Sequence, residues 1–311
     1  MVIKPPRNWV RELFSVRGTI LVESLPQITI TTMVAFLVTM SEHYVELGAF
    51  DLTPVPFSLT GVAIGIFLGF RGKTAYDRFW EGRIQWAALI NCCRNLGRQI
   101  LTLPECPADQ TETLKKWQVE SVYFAIAFAH ALRHQLRNTE PWDDLKPLLD
   151  PKLLEKLKVQ RNVPLALNML LSRNMTQAIQ KGWIDPRHIL ITDRSLSEMV
   201  NVQGGCERIR NTPVPYAYGA LSHRVVAVFC LFLPFGIVHT VHTFTPLVAL
   251  IVSYAFFGLD SLGAEIEEPF GMDHHDLPLS ALCRTVEINL RQQLEESDLP
   301  EVMTPVDYIL S

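Results

Sequence analysis

The feature that most constrains this chain is a short uncharged stretch followed at once by basic residues. The fourteen residues 57–70 carry no charge, and Arg71, Lys73, Arg78 and Arg83 come soon after them. As a helix rising about 1.5 Å per residue, the stretch covers ~21 Å, whereas the hydrocarbon core of a bilayer is ~30 Å thick. A span this short is suited to a helix that other protein shields from lipid.

Composition indicates a chain that is partly embedded in a membrane and partly aqueous. Of the 311 residues 48% are hydrophobic, and they gather in 20–40, 57–70 and 225–262. The mean hydropathy of +0.16 is high for a soluble protein. Alternation typical of strands is missing, so the fold is predicted to be all-α. A net charge of −4 gives no support for a nucleic-acid partner.

Four membrane spans are predicted. Residues 20–40 are long enough to cross a bilayer, and 57–70 begin the second span. One helix over 225–262 would be about 57 Å long, roughly twice what a span requires. The polar break at 239–246 is therefore expected to divide it into spans near 216–238 and 245–263.

The distribution of basic residues orients these spans. The connections 41–56 and 239–246 contain no Lys or Arg, whereas basic residues precede the first span and follow the second. Because cytoplasmic loops of membrane proteins are enriched in Lys and Arg, both termini and the middle region are predicted to be cytoplasmic. The expected location is the cell (inner) membrane.

The expected organisation has five parts, with helices near 110–138, 150–159, 164–183 and 193–210 in the middle region. The apolar run 122–132 is too short to span and is interpreted as a core helix. Six cysteines without metal-ligand spacing are interpreted as buried or cytosolic thiols. The parts are a cytosolic N-terminal segment (1–19), transmembrane helices 1 and 2 with the second extending into the cytosol (20–101), a cytosolic helical region (102–214), transmembrane helices 3 and 4 (215–264) and a cytosolic C-terminal segment (265–311).

Two stripes run side by side along the helix predicted over 57–70. A doubled GxxxG motif forms the first stripe and lets another helix approach closely in a membrane. The second stripe is bulky and apolar and lies about 100° around the helix axis. It is interpreted either as ordinary core or as the lining of a pore that closes by narrowing and dewetting. The glycine stripe is Gly61, Gly65 and Gly69, and the apolar stripe is Val62, Ile66 and Phe70.

Two motifs carry a resemblance to a known family. The segment "LGFRGKTAYDRFWEGRIQWAALINCCRNLGRQ" (68–99) resembles the signature of the bestrophin family of ion channels, and "EIEEPFGMDHHDLP" (265–278) is similar to the family's acidic segment after the last span. The resemblance covers roughly residues 10–290. It implies a homopentamer of helical subunits around one central pore, with a hydrophobic neck from the second span and a second constriction in a cytosolic vestibule.

The resemblance also implies positions for the two constrictions. The neck falls on Val62, Ile66 and Phe70. The second constriction is expected at Ile179, in the helix predicted over 164–183, with Met175 as the alternative.

Animal members of the family hold Ca²⁺ in an acidic clasp after the last span. Met272, His274 and His275 here interrupt the continuous acidic run, and Ca²⁺ prefers six to eight oxygen ligands. The segment is thus interpreted as a Ca²⁺ site, as a transition-metal site that includes histidines, or as a loop whose charges pair locally. No cofactor is expected to be required. The matching acidic positions are Glu265, Glu268, Asp273 and Asp276.

Charge selectivity is predicted from the outer loop. It carries Glu42, Glu46 and Asp51 without a basic residue, and rings of carboxylates favour cations. The expected function is therefore a passive channel for small monovalent ions with cation preference. The alternatives are an anion (chloride) channel of the same architecture, as the animal members are, and a secondary transporter, with Pro234 and Gly236 breaking the third span.

An enzyme is not expected, because the chain contains no P-loop, GxGxxG, GxSxG or HExxH motif. The partners implied are further copies of the chain, membrane lipid and the permeating ions.

Overall fold

The computed structural model describes Met1 and residues 21–45, 53–306 and 308–310. Within these ranges the chain is helical between turns, and the only pairing of extended backbone is an isolated bridge between Val306 and Ile309. The prediction of an all-α fold is confirmed. Two of the predicted outer-mouth residues, Glu46 and Asp51, lie outside the described residues.

The α-helices agree with the predicted helices to within a few residues, and short 3₁₀ turns join some of them. The last helix and the one-turn helix at 142–145 were not predicted. In chain order they are α1 (Leu21–Val45), α2 (Pro54–Thr102), α3 (Thr111–Arg137), α4 (Trp142–Leu145), α5 (Pro151–Lys158), α6 (Val163–Gln180), α7 (Ile189–Asn211), α8 (Tyr216–Val241), α9 (Thr245–Ile266) and α10 (Leu279–Gln293).

Three stretches of the described chain are long and apolar enough to cross a membrane. They are Ser24–Glu42, a part of Pro54–Thr102, and Tyr216–Ile266. The last stretch contains both α8 and α9, which a 3₁₀ turn at His242–Phe244 separates. His242 has a positive φ of 48°, a conformation that ends a helix at the predicted polar break.

The chain divides into two compact units, which are described separately. The membrane unit comprises the described residues up to Phe79 from α1 onward, together with Pro213–Glu268. Its core is formed by one face each of α1, α2, α8 and α9. The buried residues of this core are Ile28, Ile64, Leu68, Val226, Phe229, Cys230, Leu233 and Phe257.

Small polar side chains join α1 to α9 inside the membrane unit. The hydroxyl oxygens of Ser24 and Ser261 lie 2.9 Å apart, and Thr31 Oγ1 donates to Ser253 Oγ over 2.9 Å. Such residues let two helices approach and hydrogen-bond where lipid offers no polar partner. These contacts explain how α1 associates closely with α9 despite few bulky buried residues.

The globular unit comprises Trp80–Thr212 and Pro269–Ser311 together with Met1–Ile3, of which Met1 is described. Helix α3 lies at its centre, and apart from Tyr123 the run 122–132 is buried there. The interpretation of this run as a core helix is confirmed. Helix α10 packs against α3, so the C-terminal segment contributes a core helix that the sequence patterns did not reveal.

Local sequence sets where the helices of the globular unit begin and end. Asp150 caps α5 by accepting the backbone N–H of Lys152 over 2.8 Å, and Pro151 occupies the first turn. Asn162 caps α6 in the same way through Leu165 N–H. Both are residues that favour N-caps, because their side-chain oxygens satisfy otherwise unpaired N–H groups.

All six cysteines are free, and five of them are buried. Burial raises the pKa of the Cys206 and Cys283 thiols to about 12. A thiol that stays protonated is a poor nucleophile. Cys106 is partly exposed and is therefore the thiol most accessible to reagents.

We expect N-ethylmaleimide to modify Cys106 much faster than the other five thiols in the folded protein, because only its side chain is partly exposed. Intact-mass measurement over time should show a single early adduct per chain. The Cys106→Ser variant should lack that adduct. Early modification at several positions in a protein that is still folded would contradict the burial described above.

Candidate functional site

The apolar stripe of α2 lies on the surface of the single chain. Val62, Ile66 and Phe70 are 63%, 57% and 64% exposed, whereas Ile64 and Leu68 are 4% and 3% exposed. At about 100° per residue the two sets lie on nearly opposite faces of the helix. The stripe is thus not core within one chain, and it is available to face lipid, another copy or a pore.

The three glycines of α2 have different surroundings. A Cβ atom built on Gly61 would lie 3.1 Å from the ring of Phe229 in α8, so a glycine allows this close approach. Cβ atoms on Gly65 or Gly69 would meet nothing within 4 Å. Within the described part of one chain, Gly61 alone of the three serves tight packing, and the other two leave a small-residue surface open.

A buried ion pair follows the stripe by one residue. Arg71 and Asp260 are 6% and 5% exposed, and Arg71 Nη1 contacts Asp260 Oδ1. Ser222 Oγ donates to the same Oδ1 over 2.6 Å, and His223 Nδ1 lies 3.1 Å from Oδ2. Glu267 Oε2 is 3.8 Å from Arg71 Nη2. The cluster joins α2 to both α8 and α9.

This cluster constrains the rotation of α2. Charges are expensive to bury in an apolar region unless they are paired, so Arg71 must face Asp260. Gly219 of α8 and Gly263 of α9 lie next to Arg71, where a Cβ atom on either would make ordinary van der Waals contact with its side chain. With Arg71 directed at α9, the stripe on the other side of α2 is directed away from the membrane unit's core.

A second contact holds the next turns of α2. Arg78 Nε donates to the backbone oxygen of Glu267 over 3.0 Å. Burial raises the pKa of the Glu267 carboxyl, and the nearby Arg71 and Arg78 oppose that rise. Lys73 and Asp77 form an exposed pair at 2.7 Å, one turn apart. Arg78 is thus directed at the end of α9.

Sequence reasoning missed the role of Arg71 and Asp260. The basic residue was counted only as a sign of orientation, and Asp260 was not singled out. An acidic residue inside an otherwise apolar span is the signal that could have identified the pair, since such residues are usually paired within the protein.

Of the predicted outer-mouth carboxylates, the structure places Glu42. Its Oε1 lies 3.2 Å from Nδ1 of His239 at the end of α8. The Glu42 carboxylate therefore has the His239 imidazole as a neighbour and is not surrounded by water alone.

The residues predicted for the second constriction differ in burial. Ile179 is half-buried near the end of α6, whereas Met175, one turn earlier, is 4% exposed and belongs to the core of the globular unit. Within the described chain, Ile179 is the one of the two that reaches the surface.

The four residues of the predicted acidic clasp are divided between the two units. Glu265 and Glu268 belong to the membrane unit, and Asp273 and Asp276 to the globular unit. Asp276 is buried, and its Oδ2 accepts the backbone N–H of Asp273 over 2.7 Å. In the described ranges no three His, Cys, Asp or Glu residues are arranged to hold a metal ion.

Comparison with known proteins identifies the family. A family model described as Bacterial/Fungal Bestrophin protein matches residues 1–292. The chain belongs to the bestrophin family. The buried Arg71 and the exposed stripe before it are therefore features of a bestrophin chain, and the resemblance noted in the two motifs is confirmed.

Similar proteins and solved structures support the same family assignment. A protein of Ralstonia nicotianae named voltage-dependent anion channel-forming protein is 40% identical over 312 residues, which cover 100% of both chains. YneE of Escherichia coli, with the same descriptive name, is 34% identical over 308 residues, covering 98% of each chain. A crystal structure of a bacterial bestrophin homologue from Klebsiella pneumoniae, carrying one substitution, matches with a TM-score of 0.82 and 34% identity, covering 88% of this chain and 100% of that one. These similarities indicate a membrane channel protein rather than an enzyme.

We expect Asp260→Ala to lower the free energy of unfolding by about 3–5 kcal/mol, because it leaves Arg71 buried without its partner. Replacing both residues, in Arg71→Met with Asp260→Leu, should restore most of the loss. Denaturant unfolding in detergent micelles, followed by tryptophan fluorescence, measures the free energy of unfolding of the single and the double variant.

The matched control is Asp77→Ala, which breaks the exposed pair with Lys73 on the same helix. Its expected cost is about 0.5 kcal/mol or less. Equal effects of the two single substitutions would show that the buried pair does not carry the stability assigned to it.

Proposed function

We propose that this chain forms a homopentameric channel that passes small monovalent ions passively through a hydrophobic neck. The neck consists of Val62, Ile66 and Phe70 from each copy of α2. The observation that supports it best is the exposure of these three side chains, at 57–64%, in the uncharged part of a helix able to span a membrane. Membership of the bestrophin family supports the channel class.

The proposed neck acts through water rather than through charge. Rings of Val, Ile and Phe offer no hydrogen bonds, so water leaves a narrow passage between them and a hydrated ion meets a barrier. Widening the passage by a small movement of α2 lets water, and with it ions, pass. Because an apolar ring has no sign, the neck sets the rate of conduction, and charge preference must come from elsewhere in the pore.

The topology belongs to the same proposal. We infer four spans, α1, the first part of α2, α8 and α9, in the cell (inner) membrane with both termini in the cytoplasm. The turn at His242–Phe244 supports counting α8 and α9 separately. The distribution of Lys and Arg in the sequence supports the orientation. The second constriction is assigned to Ile179, and no metal has a role in the proposed conduction.

Anion permeation is the charge preference that the relatives support. Both the Ralstonia and the Escherichia proteins are named anion channel-forming proteins. Their names favour the alternative of the sequence analysis over the cation preference predicted from the outer loop. The second candidate, cation permeation, rests on three carboxylates in a loop without Lys or Arg. His239 beside Glu42 weakens that argument for one of the three.

A secondary transporter receives no support from α8. This helix runs unbroken from Tyr216 to Val241, through Pro234 and Gly236. Transporters commonly bind their substrates at helices that are interrupted near the middle of the membrane.

Ile66→Ala should raise single-channel conductance in planar bilayers, because removing the branched side chain widens the neck and makes it easier to wet. Ile30→Ala is the matched control, since Ile30 is a similarly exposed isoleucine (59%) on α1 of the same unit. It should leave conductance unchanged. An unchanged Ile66→Ala conductance in an intact assembly would exclude Ile66 from the pore lining.

Reversal potentials under a NaCl gradient decide the charge preference. With anion permeation, the current should reverse near the Cl⁻ equilibrium potential. Glu42→Gln should then leave the reversal potential nearly unchanged or shift it closer to the Cl⁻ equilibrium potential. Reversal near the Na⁺ equilibrium potential, and a shift away from it in Glu42→Gln, would instead establish the cation channel. The Glu42→Asp variant keeps the charge and serves as the control.

A further inference from the structure

A groove along the outside of the membrane unit lies between the start of α2 and the middle of α8. Its volume is about 410 Å³, within the ~300–1,000 Å³ typical of small-molecule sites. Apart from one threonine and one arginine, the lining side chains are apolar. They are Pro56, Phe57, Thr60, Arg224, Val225, Val228, Phe229 and Phe232.

The arginine in this lining is unusual for a membrane span. Arg224 lies eight residues after Tyr216, the first residue of α8, which corresponds to about 12 Å along the helix. It is exposed, and within the described ranges no hydrogen bond or ion pair engages it. Arg71, by contrast, is buried and paired. An arginine in a span normally pairs with an anion or extends to the interface, so Arg224 calls for a partner outside the described chain.

We propose that this groove binds a phospholipid with an anionic headgroup. Arg224 donates hydrogen bonds to the lipid phosphate, and an acyl chain lies along Phe57, Val228 and Phe232. The planar guanidinium group matches phosphate oxygens in a two-pronged geometry. Basic pockets between spans on the cytoplasmic side are known to hold anionic headgroups.

A lipid fits the groove better than a soluble anion does. A soluble phosphate would use Arg224 alone and leave the aromatic and aliphatic wall exposed. A lipid occupies both parts at once, because its phosphate and its chain are covalently joined. The inference rests on the proposed orientation, which puts the N-terminal end of α8, and with it Arg224, in the inner half of the bilayer and the start of α2 toward its outer side. The acyl chain then extends from Arg224 toward Phe57.

Native mass spectrometry of the purified, delipidated assembly tests the proposal with added palmitoyl-oleoyl phosphatidylglycerol or the matching phosphatidylcholine. Phosphatidylglycerol should bind more tightly to the unmodified protein. Arg224→Ala should weaken that binding about tenfold, as expected for loss of a hydrogen bond between charged groups. Arg224→Lys should retain part of the affinity.

Two further variants separate the site from general charge and from folding. Arg83→Ala removes an exposed arginine of the globular unit and should leave lipid binding unchanged. Val228→Trp keeps Arg224 but fills the groove, and it should lower phosphatidylglycerol binding.

Equal binding of both lipids, or unchanged phosphatidylglycerol binding in both Arg224→Lys and Val228→Trp, would overturn the proposal. So would loss of the oligomer in Arg224→Ala with unchanged lipid binding by the remaining subunits, since Arg224 would then bind another copy. None of these readings depends on ion conduction.

Discussion

The buried pair of Arg71 and Asp260 is the interaction on which the arrangement of α2 depends. A long apolar helix in lipid can rotate about its axis with little change in free energy, since most of its faces are equally apolar. A charge that must be paired removes that freedom, because an unpaired arginine in the core would cost several kcal/mol. Ser222 and His223 add contacts to Asp260, so the acceptor is itself held in place.

The position of the pair relates it to the proposed neck. Arg71 follows Phe70 directly, and Leu68 and Ala75 share its buried face. Val62, Ile66 and Phe70 must then point outward from the membrane unit. The open surface at Gly65 and Gly69 lies beside this stripe, where a neighbouring copy could approach without displacing any side chain of the described chain. One polar contact and a run of small residues thus present a bulky apolar stripe to the surroundings.

Much of the fold could be predicted from the sequence, because the helices and their ends follow local rules. The polar break before α9 and the core helix at 122–132 are examples. Helix α10 was missed because its apolar residues alternate with charged and polar ones. Their role in the core becomes evident only from their packing against α3. The pairing of Arg71 with Asp260 joins residues 189 positions apart, and nothing local in the sequence specifies that contact. The stripe of α2 was visible from spacing alone, whereas its exposure required the positions of α8 and α9.

Cryo-electron microscopy of the protein in lipid nanodiscs tests the central claim most directly, because it shows the direction of the α2 side chains in the assembled state. The account predicts copies of α2 arranged around one axis, with Val62, Ile66 and Phe70 forming its narrowest apolar section. Maps in which these three side chains face lipid, or in which α2 lines no central passage, would contradict it.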